Sequence, residues 1–562
     1  MTSTFETASS NGVPMVATSD TDASSVSYLE AIPPTHSART LVLCFDGTGD
    51  HTDATQNSNI VELFGMLKKD DPEKQIVYYQ AGIGTYTVPE IATPMMSKIS
   101  KTFDMAVAWN LSAHIMDGYK FLMQHYREND KICIFGFSRG AYTARCLAGM
   151  IHKVGLLPPS NDQQIPFAYK MYTQCNDEGW AQSNLFKQKF SRDVDIEFLG
   201  VWDTVESVGL IPRRLPFTTS NTVVKTFRHA LALDERRAKF KANHWNRPGP
   251  RKERKGQKAK HEEMLGVTDQ LAKEFFDELS DAEKAVAKEK EAGKRNATKK
   301  NHRLDRLKAL EKKWRKKSTR TDVKEVWFAG CHCDVGGGSV ANSTSPCLAR
   351  IPLRWMIREC FRTDTGIIFS TNELKRAGLD PASLYPIVRE RPPALGLDNT
   401  STIQSIPKKA SKKSAKPKEK QAGPVSVVEE LKETEEEADR NDALAPIYDQ
   451  LKRKWFWWVL EIFPLTFRVQ QEEHNWKSHF RCNLGKGREI PKKHQSKQEG
   501  IQDWQHLDSK HSNNPGEGKQ DHKIYVHRTV KTRLDVRDSQ GVPVYKPKIR
   551  ADLRGDNVEW VD

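Results

Sequence analysis

Gly136-Phe137-Ser138-Arg139-Gly140 places one hydroxyl between two glycines. Upstream lies the apolar run Ile132-Cys133-Ile134-Phe135, a strand signal, and a helical pattern follows. At a strand-to-helix elbow the serine sits in a tight turn where bulky neighbours would clash. Glycine on either side removes Cβ and lets strand, helix and hydroxyl approach closely. The Arg139 N–H, at the helix start, then faces any negative charge that develops beside the hydroxyl. A serine hydroxyl is a poor nucleophile until a base takes its proton. The chemistry open to this pattern is therefore attack on a carbonyl, and it requires a histidine held by a carboxylate. The plain alternative is a strand–turn–helix whose glycine turn happens to contain serine.

The elbow pattern expects the chain order Ser, Asp or Glu, His. Asp203 in GVWDTVESVG and His332 in EVWFAGCHCDVGGG meet that order, each just after an apolar run. Ser138, Asp203 and His332 are the candidate triad. Glu206 is an alternative carboxylate, Asp334 could orient an imidazole, and His527 is a rival base. A turn aspartate and a packed histidine are the structural alternatives. Cys331-His332-Cys333 invites a zinc reading, but zinc needs further ligands at finger-like spacing and none stand out. Neither a metal nor another cofactor is expected. In FDGTGD, the loop could lend a Gly47 or Thr48 N–H to an oxyanion, as a second donor from a separate strand end. Its Asp46 could equally cap a neighbouring element. The lysine of a phosphate-binding loop is missing there.

These residues need a common platform. Leu41–Phe45, QIVYYQAGIGT, Ile132–Phe135, DIEFLGVWDTV and VKEVWFAGCHC read as strands. Residues 104–126 and 163–190 read as helical, and KIYVHRTVKTRL as a last strand-like piece. The strands are continuous apolar runs and alternate with helices. That pattern predicts an α/β fold, a mostly parallel sheet with helices on both faces. Functional groups then lie beyond the carboxyl ends of the strands. Asp46, Gly84, Ser138, Asp203 and His332 all end strands on this reading.

The chain has 562 residues, 37% of them hydrophobic, so part of it is expected to lie outside a packed core. The formal net charge of +15 concentrates in residues 251–320 and 401–424, with the rest close to balanced. A nucleic-acid groove would carry its charge in the folded body, so nucleic acid is not an expected partner. We divide the chain into a disordered tail (1–38), a first core part (39–247), a basic, partly helical insertion (248–320), a second core part (321–398), a disordered charged linker (399–441) and a C-terminal part or lid (442–562), with disorder near 485–520. The polar N-terminus lacks the basic start and apolar block of a secretory signal, and no apolar stretch is long enough to span a bilayer. The nine cysteines form no paired Cys-x-x-Cys clusters. An intracellular, cytoplasmic protein is expected.

The blocks FDGTGD, YYQAGIGT, GFSRGAYTAR, GVWDTVESVG, ALDERRAKF and EVWFAGCHCDVGGG, in this order, resemble the α/β-hydrolases similar to type VI secretion phospholipase effectors, a family with many uncharacterised fungal members. The likeness covers roughly Arg39–Trp245 and Val323–Glu359, and is weaker around 441–470 and 524–550. It implies an α/β-hydrolase-like fold with long charged insertions. It also implies a triad at Ser138, Asp203 and His332, and hydrolysis of phospholipid acyl esters or related carboxylic esters. The two basic segments and the cysteines flanking His332 depart from the family pattern. The competing expectation is a non-catalytic scaffold on the same fold, its basic segments touching acidic membranes or nucleic acid. KRKWFWWVLEIFPLTF reads first as a buried helix or lid over an acyl pocket, stopped by Pro464, and second as a peripheral membrane contact.

Overall fold

The structure, a computed structural model, describes residues 29–34, 38–47, 56–82, 96–174, 176–205, 215–218, 221, 223–245, 321–398, 401–406, 433–470, 476–490, 523–553, 555 and 557–562. Eight strands form its main sheet: β1 (Thr40–Phe45), β2 (Gln75–Gln80), β3 (Lys131–Phe137), β4 (Ile196–Trp202), β5 (Val224–Ala232), β6 (Asp322–Phe328), β7 (Ile524–His527) and β8 (Val558–Val561). Their order is β2-β1-β3-β4-β5-β6-β7-β8. Every neighbouring pair is parallel. The helices used below are α1 (Asn59–Met66), α2 (Met96–His125), α3 (Ser138–Val154), α4 (His332–Gly336), α5 (Arg350–Arg362), α6 (Glu435–Ala443) and α7 (Trp457–Ile462). This is the parallel α/β sheet expected from the alternating pattern, and it agrees with the α/β-hydrolase-like fold that the family resemblance implies.

Strands β1, β3 and β4 are nearly continuous apolar runs because both faces are covered. In β1, Leu41, Leu43 and Phe45 pack with Ile115 and Leu122 of α2 and Leu147 of α3. Val42 and Cys44, pointing the other way, pack with Ile60 and Leu63 of α1 and Trp355 of α5. The order of strands turns back at β1, which has β2 on one side and β3 on the other. Such a reversal opens a crevice beyond the carboxyl ends of the two strands. Asp46 follows β1 there, and Ser138 follows β3.

Strand β5 was not legible in the sequence, because Arg228 and His229 interrupt its apolar run. Both are buried and paired: the Arg228 Nε donates to Glu359 Oε2 at 2.5 Å, and His229 Nδ1 meets Glu325 Oε1 at 2.9 Å. KIYVHRTVKTRL divides into β7 and a helix, Arg528–Leu534. The stretch read as a disordered linker contains the start of α6, where Thr434 and Glu437 form a capping box. Asp439 and Asp442 of α6 then pair with the buried Arg354 of α5 at 2.7 and 2.6 Å. Residues 1–28, Gly84, 246–320, 407–432 and 491–522, with the expectations placed on them, lie outside the described residues. Among the described residues, no helix is long and apolar enough to cross a membrane.

Candidate active site

Ser138 is the first residue of α3 and follows β3 without a linker. Its φ of +58° is left-handed, a conformation that L residues adopt at a cost and that clusters at functional turns. The flanking glycines are required by close approach. A Cβ on Gly140 would lie 2.3 Å from the carbonyl oxygens of Phe45 and Asp46, and one on Gly136 would lie 2.6 Å from the Ala141 Cα. No side chain caps the start of α3, so its opening N–H groups, with that of Arg139 among them, meet no capping oxygen from Phe137. Burial lowers the Arg139 guanidinium to about 10.

Asp203 follows β4 with a φ of +40°, and its N–H is fixed to the Ala230 carbonyl of β5 at 2.7 Å. His332 opens α4, just beyond β6. Its Nε2 lies 2.8 Å from Ser138 Oγ, and its Nδ1 lies 2.6 Å from Asp203 Oδ2. The imidazole stands beside the Phe137 ring at 4.7 Å and meets the Phe240 ring edge-on at 4.9 Å. All three polar side chains are buried.

Arg488 is the residue that the sequence did not reveal. It lies in a stretch read as disordered, yet its guanidinium is buried and forks onto Asp203: Nη1 to Oδ1 at 2.5 Å and Nη2 to Oδ2 at 2.8 Å. The Ala232 N–H also donates to Asp203 Oδ1, at 2.9 Å. Burial would raise the Asp203 carboxyl. The Arg488 charge and the hydrogen bonds from His332 and Arg488 overcome it and hold the group well below the usual carboxylate range. For His332, burial disfavours the imidazolium and outweighs Asp203, so its pKa lies below the ordinary histidine value. Glu235 accepts the His332 backbone N–H at 3.2 Å and is itself paired with Arg237 at 2.8 Å.

The other candidates do different work. Asp334 accepts from the Cys331 and Tyr448 N–H groups, both at 2.9 Å, and from the Ser339 hydroxyl at 3.0 Å. It caps α4 rather than orienting an imidazole, and burial pushes its carboxyl up to about 6. Asp46 accepts from Ser58 Oγ at 2.6 Å and Tyr79 Oη at 2.9 Å, with burial raising its carboxyl. It also takes the Gly47 N–H at 2.7 Å, so in this structure that amide is engaged by its neighbour's carboxylate rather than open to an oxyanion. A Cβ on Gly47 would lie 3.2 Å from the Ser138 Cβ, which puts the loop against the hydroxyl-bearing residue. Thr48 and Glu206 lie outside the described residues. His527 stacks on Phe328 at 4.9 Å and meets Thr529 Oγ1 at 2.9 Å, so the structure pairs it elsewhere than with Ser138.

A hydroxyl bonded to an imidazole whose far nitrogen meets a buried carboxylate is equipped to pass one proton to and fro. A helix start beside it can receive developing negative charge. Residues 39–359 match the family model described as type VI secretion system, phospholipase effector Tle1-like, catalytic domain. A relative from Saccharomyces cerevisiae, the uncharacterized protein YEL023C, is 27% identical over 540 residues, covering 82% of this chain and 78% of that one. An uncharacterized protein from Pseudomonas aeruginosa of known crystal structure shares 16% identity over 59% of this chain and 46% of that chain, at a TM-score of 0.28. The Tle1 effector bound to the VgrG spike of the type 6 secretion system shares 20% identity over 38% of this chain and 52% of that chain, at a TM-score of 0.23. The matched regions thus span about half the length of either solved chain. Arg488 falls beyond the stretch matched by the family model. With 39–359 amounting to more than half of its length and matching the model of the family's catalytic domain, the chain belongs to the Tle1-like phospholipase effector family.

Proposed function

We propose that the protein is a serine hydrolase that cleaves carboxylic esters, namely lipid or phospholipid acyl esters, through an acyl-enzyme. The observation that carries this reading is the bridge made by His332, 2.8 Å from Ser138 Oγ and 2.6 Å from Asp203 Oδ2. Ser138 Oγ attacks the ester carbonyl as His332 Nε2 takes its proton. The carbonyl oxygen becomes an oxyanion and receives the Arg139 N–H. The tetrahedral intermediate collapses, the ester C–O bond breaks, and His332 returns the proton to the leaving alcohol. Water then repeats the sequence on the acyl-serine and releases the acid. Asp203 fixes the tautomer with the proton on Nδ1 and stabilises the imidazolium. The phospholipase family and its acyl-ester chemistry support the substrate class.

A fluorophosphonate probe, which bonds to an activated serine and loses fluoride, is expected to label the wild type and not Ser138→Ala. Labelling that survives the substitution overturns the assignment. Turnover of p-nitrophenyl esters of graded chain length, beside a phospholipid, measures the substrate preference. The pH dependence has a defined sign. A buried imidazole with a lowered pKa is already neutral, and competent as a base, at neutral pH. The acidic limb of kcat/KM is therefore expected to have its midpoint below the usual histidine value of about 6.5. A midpoint above that value counts against His332 as the base.

A further inference from the structure

The segment Lys452–Phe463 reverses the usual order of a surface helix. Such a helix ordinarily turns its apolar stripe to the core and its charges to water. In α7 the inward positions are Trp457 and Glu461, four residues apart on one face. Glu461 is fully buried and accepts from the Ala238 N–H at 2.5 Å, the Asn483 side-chain amide at 2.6 Å and the Gly485 N–H at 2.9 Å. Trp457 meets Phe240 edge-on at 5.6 Å, with the Arg237 guanidinium 4.8 Å from its ring. The outward side is apolar: Trp455 is 79% exposed, Ile462 62% and Phe463 60%, and Phe480, on a strand Trp476–Arg481 paired antiparallel with Leu465–Gln470, is 74% exposed. The buried-helix reading of this run is thus corrected. Glu461 and Trp457 face in, and Trp455, Ile462 and Phe463 face out, because Glu461 finds three donors inside.

Two further facts choose the occupant of this face. Lys452, Arg453 and Lys454 are exposed at one end of it. Aromatic side chains beside cations suit the headgroup level of a bilayer, and each cation near an anionic surface strengthens binding about fivefold. The opposite, inward side of the same helix leads to the candidate site, since Trp457 packs on Phe240 and Phe240 packs on His332. We propose that the outward side of Trp455–Phe463, with Phe480 and the Lys452–Lys454 cations, is the surface by which this protein lies on an anionic lipid bilayer, on the segment whose inward side reaches His332 through Phe240. The proposal rests on the lipid-ester reading for its purpose and on the exposed face for its geometry.

The test separates the two. Full-length protein carrying Ser138→Ala is floated with vesicles of equimolar phosphatidylcholine and phosphatidylserine, so binding is read without hydrolysis. Flotation is expected, and the further pair Trp455→Ser and Phe463→Ser is expected to weaken it at least about tenfold with the thermal midpoint retained. A triple charge reversal, Lys452→Glu with Arg453→Glu and Lys454→Glu, is expected to remove the preference for these vesicles over pure phosphatidylcholine. Three results overturn the proposal: no flotation of the parent, equal flotation of the serine pair, or substitutions that abolish only self-association in sedimentation velocity. An absence of ester turnover in the wild type with flotation intact would count against the hydrolase reading and leave this surface standing.

Discussion

His332→Ala is expected to lower turnover of a p-nitrophenyl ester by about a million-fold, and adding Ser138→Ala is expected to lower it hardly further. The two residues act as one device on the proposed mechanism. Without the imidazole, the Ser138 hydroxyl keeps its proton and does not attack. Without the hydroxyl, the imidazole has no proton to move. Their separate losses therefore do not add. The fold is expected to persist, because Asp203 keeps its two bonds to Arg488 and its bond from the Ala232 N–H. The check is steady-state kinetics on the three variants, with circular dichroism to confirm folding. A His332→Ala protein within about tenfold of wild type, a difference of only 1.4 kcal/mol in barrier, would remove His332 from the reaction.

Arg488→Met is expected to damage both stability and catalysis. Arg488 and Asp203 are both buried, so the substitution leaves a carboxylate in the interior without its main counter-charge. Breaking such a pair from one side costs about 3–5 kcal/mol. Urea denaturation near neutral pH measures it. The sign with pH follows from Asp203, whose carboxyl is held below its unfolded value. Its stabilising contribution is present above the ordinary carboxylate range, about pH 4, and fades as pH falls through the folded pKa. The stability gap between wild type and variant is therefore expected to narrow in acid.

In catalysis Arg488 is a positioning residue, since it reaches the imidazole only through Asp203. A loose carboxylate misplaces the imidazole, and small misplacements cost about a hundredfold. The loss is expected in kcat more than in KM, with the acidic limb of kcat/KM moved to higher pH as His332 gains an uncompensated negative neighbour. Arg488→Lys keeps the charge and loses the fork, so it is expected to fall between the two. A variant of lowered stability with unchanged kcat and pH profile would make Arg488 purely structural.

The elbow was legible because its demands are local. Gly136 is glycine for want of space against Ala141, five residues on, where a strand runs straight into a helix, whereas the space at Gly140 is taken by the Phe45 and Asp46 carbonyls at the end of β1. The alternating pattern likewise implied the parallel sheet, since strands covered on both faces read as nearly continuous apolar runs. Asp203 and His332 could be nominated because each ends an apolar run, in the chain order an elbow serine expects. Strand β5 could not, because whether Arg228 and His229 are tolerable inside a sheet depends on Glu359 and Glu325, far along the chain.

The sequence by itself determined the elbow, the sheet and the set of groups available for chemistry. Tertiary structure alone decided which groups meet. It chose His332 over His527, gave Asp334 to a helix cap, and brought Arg488 onto Asp203 from 285 positions away. It also turned Trp455 and Phe463 outward, since the buried Glu461 holds the opposite side of the helix. The reason is common to all of these. Backbone geometry is set by neighbours in the chain, whereas the cost of burying a charge is set by partners in space.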